Sequence, residues 1–332
     1  VPGPTRRLLL AVLAALAPAV AASPAGAAGH AKHQAKPSHP NAGIVDIYTV
    51  LGYENGEAAG TGMIVSRSGK VLTNNHVIRG ATAFRVVDVT THRTYSATVV
   101  GYSVTRDVAV LRLANASRLK PIRLGRSGRV RVGQPVVARG NAQGRGGPPK
   151  TAAGSVIALH RTIVAQDDNG GSERLSNIIA TNARVQPGYS GGPLEDAKGR
   201  AVGMVTAGST SGPHRGFAIP ITQALTIARR IEAGTSTATV HVGPTAFLGV
   251  VLQNVASGAQ IVQVVPGSAA DAAGLVAGDV VTSLADTTIS SSADVSHVVL
   301  SLSPGTPVSI GWTDASGTPQ TGTITPASGP PQ

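Results

Sequence analysis

The chain has 332 residues, of which 42% are hydrophobic, 13% charged and 3% aromatic, with 41 glycines, 22 prolines and a formal net charge of +12. At about 150 residues per domain this length fits two folded domains, and the apolar fraction is high enough to give each a core, which excludes a disordered chain. With no cysteine in the sequence, disulfides, thiolate metal sites and a cysteine nucleophile drop out, and covalent chemistry must come from Ser, Thr, Lys or a carboxylate.

In chain order, Arg6 and Arg7 precede an apolar run over 8–22, broken by Pro18 and followed by small-residue cleavage sites. The pattern predicts a signal peptide over 1–27 and an exported protein, because the run is shorter than the roughly 20 apolar residues that span a bilayer. Residues 28–42 form a polar linker. Its neighbourhood holds His30, His33 and His39, irregularly spaced and without nearby carboxylates, and they read as hydrated side chains rather than metal ligands. From 44 to 221 short apolar or alternating runs (IVDIYTV, TGMIVS, FRVVDV, DVAVLRL, PVVARG, AVGMVTAG, GFAIPI) alternate with Gly, Asn, Asp and Ser. Many short strands at close spacing predict a mostly β fold of antiparallel barrels or sandwiches. A helix is predicted over 222–233, capped by Thr222 and closed by Gly234. It ends a first domain at 43–233, and a polar linker over 234–244 leads to a second domain at 245–328. That domain is predicted to contain strands around FLGVVL, AQIVQVV and VVTSL, a helix near 293–302, and two closing strands around VSIGW and TGTITP.

Three segments carry the chemistry. TNNHVI, read as a strand that ends in a histidine, holds His76; RDVAVL holds Asp107 just before a buried strand; and PGYSGGPL holds Ser190. A serine hydroxyl is a weak nucleophile near neutral pH and needs a base within hydrogen-bond reach, which a histidine supplies. The base in turn needs a fixed anion to hold its tautomer and offset its charge, the role assigned to Asp107. The glycines beside Ser190 permit a tight turn that aims the N–H groups of Gly188 and Ser190 at one point, an oxyanion hole. Taken singly, a histidine in a β-rich chain is more often structural and an aspartate before a strand is usually a turn residue. Their joint order, His then Asp then Ser, favours catalysis, and the rival acids Asp46 and Asp88 fit it less well: Asp46 precedes the histidine and Asp88 lies within an alternating strand.

At these residues the chain resembles the high-temperature-requirement (HtrA/Deg) family of serine proteases over about 43–326. TNNHVI, RDVAVLRL and QPGYSGGPL match the family's three catalytic motifs, and GFAIP at 216–220 matches the end of its protease domain. The resemblance implies a chymotrypsin-type double β-barrel followed by a small α+β PDZ domain, and an ATP-independent endopeptidase of protein quality control acting on unfolded or misfolded proteins. It implies no cofactor and no metal, and a homotrimer assembled through the segment near 44–53. The opposing reading, on the same fold, is an idle chaperone or peptide-binding scaffold. One departure from the family is Tyr189 before the nucleophile, where Asn is common. Another is Arg184, which falls at the floor of the primary specificity pocket, with Thr206, Ala207 and Gly208 on its wall. Pointing inward, Arg184 would select acidic or polar side chains; pointing outward, the favoured placement, it is a surface charge. By the same resemblance, residues 161–176 sit where the family has a regulatory sensor loop. In the second domain Phe247, Leu248, Gly249 and Val250 correspond to the PDZ carboxylate-binding loop, which captures C-terminal peptides, and the helix bearing Val295, Val298, Val299 and Leu302 forms the groove's other wall or simply its core. Arg118, Lys120, Arg123, Arg126, Arg129, Arg131 and Arg139 form a basic run. With few aromatics, no recognition motif and an export signal, nucleic acid is not the expected partner; a solvated face or an anionic envelope surface is.

Overall fold

A computed structural model describes residues 41–53, 56–166, 172–209, 214–237 and 239–332, so the predicted leader and almost all of the linker at 28–42 lie outside the described residues. The first six strands are β1 (Ile44–Leu51), β2 (Gly56–Ile64), β3 (Lys70–Thr73), β4 (Ala83–Asp88), β5 (Thr94–Ser103) and β6 (Val108–Leu113), with a helical turn α1 (Asn75–Ile78) after β3. They pair antiparallel in the order β5-β4-β1-β2-β3-β6, and β6 returns to β5, so the sheet closes on itself. The next six are β7 (Pro135–Gly140), β8 (Lys150–Gln166), β9 (Ser172–Thr181), β10 (Pro193–Asp196), β11 (Ala201–Gly208) and β12 (Gly216–Pro220), and they form a second closed barrel. Closure follows from the sequence pattern. A strand such as β6, VAVLRL, buries all its residues except Arg112 and is stable only where both faces are covered.

Helix α2 (Ile221–Glu232) lies over the seam between the barrels, with Ile221, Ala224, Ile227, Ala228 and Ile231 buried. These side chains share one core with Ile44, Met63 and Leu72 of the first barrel and Ile178, Met204 and Ile219 of the second. Each buried isoleucine there contributes about 1.5–3 kcal/mol. The helix starts one residue earlier than the sequence suggests, with Pro220 and not Thr222 at its N-cap. Proline needs no N–H partner and fixes the φ that the strand-to-helix turn requires. Gly234, at φ +71°, ends it as expected.

The remaining chain runs through β13 (His241–Val242), which adds to β5, then β14 (Thr245–Phe247), β15 (Val250–Val255), β16 (Gly258–Val264), α3 (Ala269–Ala272), β17 (Val280–Leu284), β18 (Thr287–Thr288), α4 (Ser292–Ser301), β19 (Val308–Thr313), β20 (Pro319–Ile324) and β21 (Ala327–Gly329). Strands β15-β16-β17-β19-β20 form one sheet, with β15 at its edge, while β14 and β21 pair apart from it as a two-stranded ribbon. Val295, Val298 and Val299 of α4 are buried in this unit's own core with Leu248, Ile261, Leu284 and Ile310. Among the described residues no helix is long and apolar enough to cross a membrane.

The segment near 44–53 is largely consumed within its own barrel: β1 pairs on both sides, and its outward side chains are Val50 and, beyond the strand, Tyr53. Of the basic run, Arg139 is half-buried and pairs with Glu195 at 2.7 Å, while the other six cations are exposed.

Asp46 is a second finding in β1. It is 2% exposed and its Oδ1 has no hydrogen-bond partner among the described residues. Burial pushes its pKa up to about 7, against a smaller opposing pull from Arg85. The folded state therefore holds a proton that the unfolded chain releases near pH 4, and stability falls as pH rises from about 4 to about 7. Asp46→Asn is expected to raise the melting temperature at neutral pH, with the gain vanishing toward pH 4; thermal melts of both proteins across that range check it.

Candidate active site

The register of the first barrel creates the dyad. Thr73, the last residue of β3, pairs with Ala109 near the start of β6, so whatever follows β3 meets whatever precedes β6. His76 follows β3 and Asp107 precedes β6. Contrary to the sequence reading, His76 does not end a strand but sits in the turn of α1. Asp107 adopts a left-handed backbone at φ +50°, closing a short 3-10 turn over Val104–Arg106. This conformation costs less for Asp than for most residues.

His76 Nδ1 lies 3.0 Å from both carboxylate oxygens of Asp107, and the His76 backbone N–H donates to Oδ1, also at 3.0 Å. Asp107 is 1% exposed, and two further donors hold it. Thr206 Oγ1 donates to its Oδ2, and Asn74 Nδ2 donates to its backbone carbonyl at 2.8 Å. Thr206 comes from β11, so one hydrogen bond ties the anion of the first barrel to the wall of the second.

Ser190 belongs to the loop that leads into β10. Its Oγ donates to the Thr206 carbonyl at 3.4 Å, and the bond to His76 is not made in this conformation. Backbone geometry around it is tightly specified. The Pro187 carbonyl accepts from Gln143 N at 2.8 Å, and the Tyr189 carbonyl accepts from Gly192 N at 2.9 Å. No peptide here is cis, and in a planar trans peptide the following N–H points the opposite way. The N–H groups of Gly188 and Ser190 are thus turned away from the protein's own carbonyls, on the side of the cleft. Thr61 of β2 fixes the same loop from the other barrel. Its Oγ1 donates to Gly188 O at 2.6 Å and accepts from Asn141 N at 2.9 Å, and its N–H donates to Ser190 O at 2.8 Å. Thr61 was not foreseen, because nothing in GTGMIV reports a contact with a loop 127 residues away.

Gly188 has φ +89°, and a Cβ there would lie 2.0 Å from Asn141 O. Gly188→Ala is expected to twist the peptide away from this arrangement and to slow acylation of Ser190 by about 10²–10³-fold, measured as the rate of covalent inactivation by a serine-directed phosphonate.

The cleft, about 220 Å³, is lined by His76, Ser190, Thr206, Ala207 and Gly208 together with Ala58, Ala59 and Val185. Arg184 is not on its wall: the side chain is exposed, and its neighbour Val185 takes the place expected for it. Turned inward, a guanidinium would have to shed its water against alanine, valine and glycine. Tyr189 is 2% exposed and packs in the second barrel's core with Ala138, Ala183 and Leu194.

Glu173 is the residue sequence reading missed altogether. The region around it reads as a loop, yet β8 and β9 make a long hairpin whose residues 167–171 lie outside the described residues. Glu173 lines the cleft and pairs with Arg79, just beyond α1. Burial, then the Asp107 charge, push its pKa up to about 7, against Arg79 and His76. For His76, burial disfavours the imidazolium, but the charge of Asp107, the hydrogen bond to it and the charge of Glu173 outweigh burial and Arg79, and the pKa is raised above 6.5. With neutral imidazole as the expected base, activity should be lost as pH falls through this raised value. Glu173→Gln removes one anion, and its expected result is an acid limb of the labelling rate displaced to lower pH.

In the second domain Gly249 has φ +82°, and the carbonyls of Leu248 and Gly249 accept from Ala270 N and Val265 N, both at 2.8 Å. By the same trans-peptide geometry the N–H groups of Gly249 and Val250 face the opposite side, next to the free edge of β15. Leu248 is buried in the core, and the Phe247 ring is stacked on Tyr53 of the first barrel, with centroids 4.7 Å apart.

Two closed six-stranded barrels with a His-Asp dyad from one facing a serine loop from the other, followed by a small sheet-and-helix unit, define a trypsin-like peptidase fold joined to a peptide-binding module. The trypsin-like peptidase domain family matches residues 60–204 and the PDZ domain family matches 246–313. The chain is 37% identical over 303 residues to serine protease PepD of Mycobacterium tuberculosis, covering 85% of this chain and 63% of that protein. It is 34% identical over 269 residues to the periplasmic pH-dependent serine endoprotease DegQ of Escherichia coli, covering 77% and 56%. Among solved structures, the HtrA-type protease AlgW with a decapeptide superimposes with a TM-score of 0.52 at 26% identity, over 89% of this chain and 98% of that one. The chain thus spans between half and two thirds of the length of these curated relatives. It belongs to the HtrA family of trypsin-like serine proteases with one PDZ domain.

Proposed function

We propose that this chain is an exported, ATP-independent serine endopeptidase that cleaves unfolded or misfolded proteins by acylating Ser190, with His76 as base, Asp107 as its orienting anion and the Gly188 and Ser190 amides as the oxyanion hole. The observation that carries the reading is the His-Asp dyad, with both Asp107 carboxylate oxygens 3.0 Å from His76 Nδ1, lining one cleft with Ser190 and Gly188. Its relatives support it: two are named serine proteases, one of them periplasmic, and AlgW was solved with a decapeptide. The PDZ unit, through Leu248, Gly249, Val250 and the edge of β15, recruits C-terminal peptides or relays their arrival. A homotrimer and peripheral attraction of the exposed cations to anionic envelope surfaces complete the proposal; light scattering and salt-dependent vesicle sedimentation test them.

A second reading has its own observation. Ser190 Oγ faces the Thr206 carbonyl rather than His76, as an idle peptide-binding scaffold would allow. One experiment separates the two. The purified protein is exposed to a fluorophosphonate probe and to casein, with and without a hydrophobic C-terminal peptide. Labelling at Ser190 with casein cleavage supports the endopeptidase. Neither event, under both conditions, replaces it with the scaffold.

A further inference from the structure

Residues 330–332, after β21, lie against the turn that carries His76. The Pro331 carbonyl accepts from Gly80 N at 2.9 Å, and the Gln332 carbonyl accepts from Asn75 Nδ2 at 2.9 Å. Asn75 and Gly80 bracket α1, so both ends of the catalytic turn are bound to this segment. Asn75 is fully buried, and a buried amide donor without water must be satisfied by protein; no other acceptor for its Nδ2 is present among the described residues.

A third anchor fixes the segment itself. Gln332 N donates to Tyr102 Oη at 3.2 Å, and that hydroxyl also meets Thr245 Oγ1 at 3.1 Å. Tyr102 is fully buried at the end of β5, and its ring lies 5.1 Å from that of His241. Thr245 opens β14, and Gly329, its partner across the ribbon, closes β21. The two ends of the PDZ unit therefore converge on one tyrosine of the first barrel, and from that point the chain reaches the catalytic turn.

We infer that Pro331 and Gln332 are positioning residues for His76, received by Asn75, Gly80 and Tyr102, so that the placement of the catalytic base depends on the seating of the PDZ unit's closing ribbon. None of these groups touches the reacting atoms. They act by holding α1, and a small displacement of a base lowers the rate without altering how substrate is held. The inference rests on the proposed hydrolase reading.

The test uses the full chain, a form lacking Pro331 and Gln332, Asn75→Ala, and the two changes combined. Asn75→Ala leaves the β14–β21 ribbon intact, so it reports even if the shortened chain loosens its PDZ unit. Kinetics on a chromogenic peptide and the rate of fluorophosphonate labelling are measured across pH, and amide hydrogen exchange is followed at Gly80. The expected result is a kcat lowered about tenfold in each single variant with KM unchanged. The combined variant should be little worse than the worse single one, because both changes remove the same contact. Gly80 should exchange faster in the shortened chain, and the His76 ring resonances should move in both variants. A kcat equal to that of the full chain overturns the inference, as does an equal rise in KM and fall in kcat/KM with kcat constant. If the full chain is not labelled at all, the hydrolase reading fails instead. The positioning claim is then decided by Gly80 exchange and the His76 resonances, and it falls if both are unchanged.

Discussion

Ser190→Ala is expected to abolish covalent labelling and to reduce casein cleavage by about 10⁵–10⁶-fold, with the fold intact. The Ser190 hydroxyl is the proposed nucleophile, and neither His76 nor Thr206 takes its place, since His76 Nδ1 and Thr206 Oγ1 are both bound to the Asp107 carboxylate. The folded state loses little, because Ser190 is half-buried and its Oγ makes a single long bond of 3.4 Å. The melting temperature should thus stay within the range of a change of about 0.5 kcal/mol. What remains of the rate is the contribution of binding and the amides, roughly 10³–10⁴ over water. Quantitative proteolysis and a thermal melt on the same preparation read both quantities. Unaltered cleavage by the variant would mean that the assignment of hydrolysis to Ser190 is wrong.

Asp107→Asn should be nearly as damaging, with a fall in kcat of about 10⁴ and a different cause. All of the groups facing the Asp107 carboxylate donate: His76 N, His76 Nδ1 and Thr206 Oγ1. An asparagine presents one NH₂ where an acceptor is required, so either Thr206 or His76 faces a donor. If His76 yields, it turns to the tautomer that places the proton on Nε2, where it cannot accept from serine. The loss should lessen above the ordinary pKa range of histidine only if solvent base substitutes, so a rate that rises steeply with pH in the variant, against a plateau in the parent, is the diagnostic profile. The two variants also differ in ground-state binding: KM is expected to hold in both, since neither side chain contributes to the apolar wall formed by Ala58, Ala59 and Val185.

The proposed catalytic residues were legible as candidates because each sits in a short local motif, and the strands because their apolar runs are bounded by turn residues. What escaped reading was set by contacts distant in sequence. TNNHVI reads as a continuous strand, but β3 stops at Thr73, where its pairing with β6 ends, and the next residues turn into α1. SERLSNIIAT is polar enough to pass for a loop and becomes strand β9 only because β8 and β12 flank it. Arg184 was placed by its motif at the floor of the specificity pocket with an outward direction favoured, and it is exposed, as the cost of desolvating a guanidinium requires. Glu173, Thr61 and Tyr102 carry no motif at all; the first two acquire their roles from a partner on the other barrel, and Tyr102 from Thr245 and Gln332 at the two ends of the PDZ unit. The basic run illustrates the same limit, with Arg139 drawn inward by Glu195 while its neighbours stay hydrated.

The closing of both barrels on themselves has a consequence for a protein proposed to work among unfolded chains. An open sheet presents a row of unsatisfied amides and carbonyls to which any extended polypeptide can add, which is how aggregates seed on folded proteins. The peptidase half offers passing clients no such row along its twelve barrel strands, each flanked on both sides. Open edges are left to the smaller unit, at β15 and β20 of the PDZ sheet and along the β14–β21 ribbon, and of these β15 lies next to the proposed carboxylate-binding loop. Strand addition is thereby kept off the half that carries the proposed active site, so an extended polypeptide can dock at the PDZ sheet without the peptidase barrels becoming a template for its deposition.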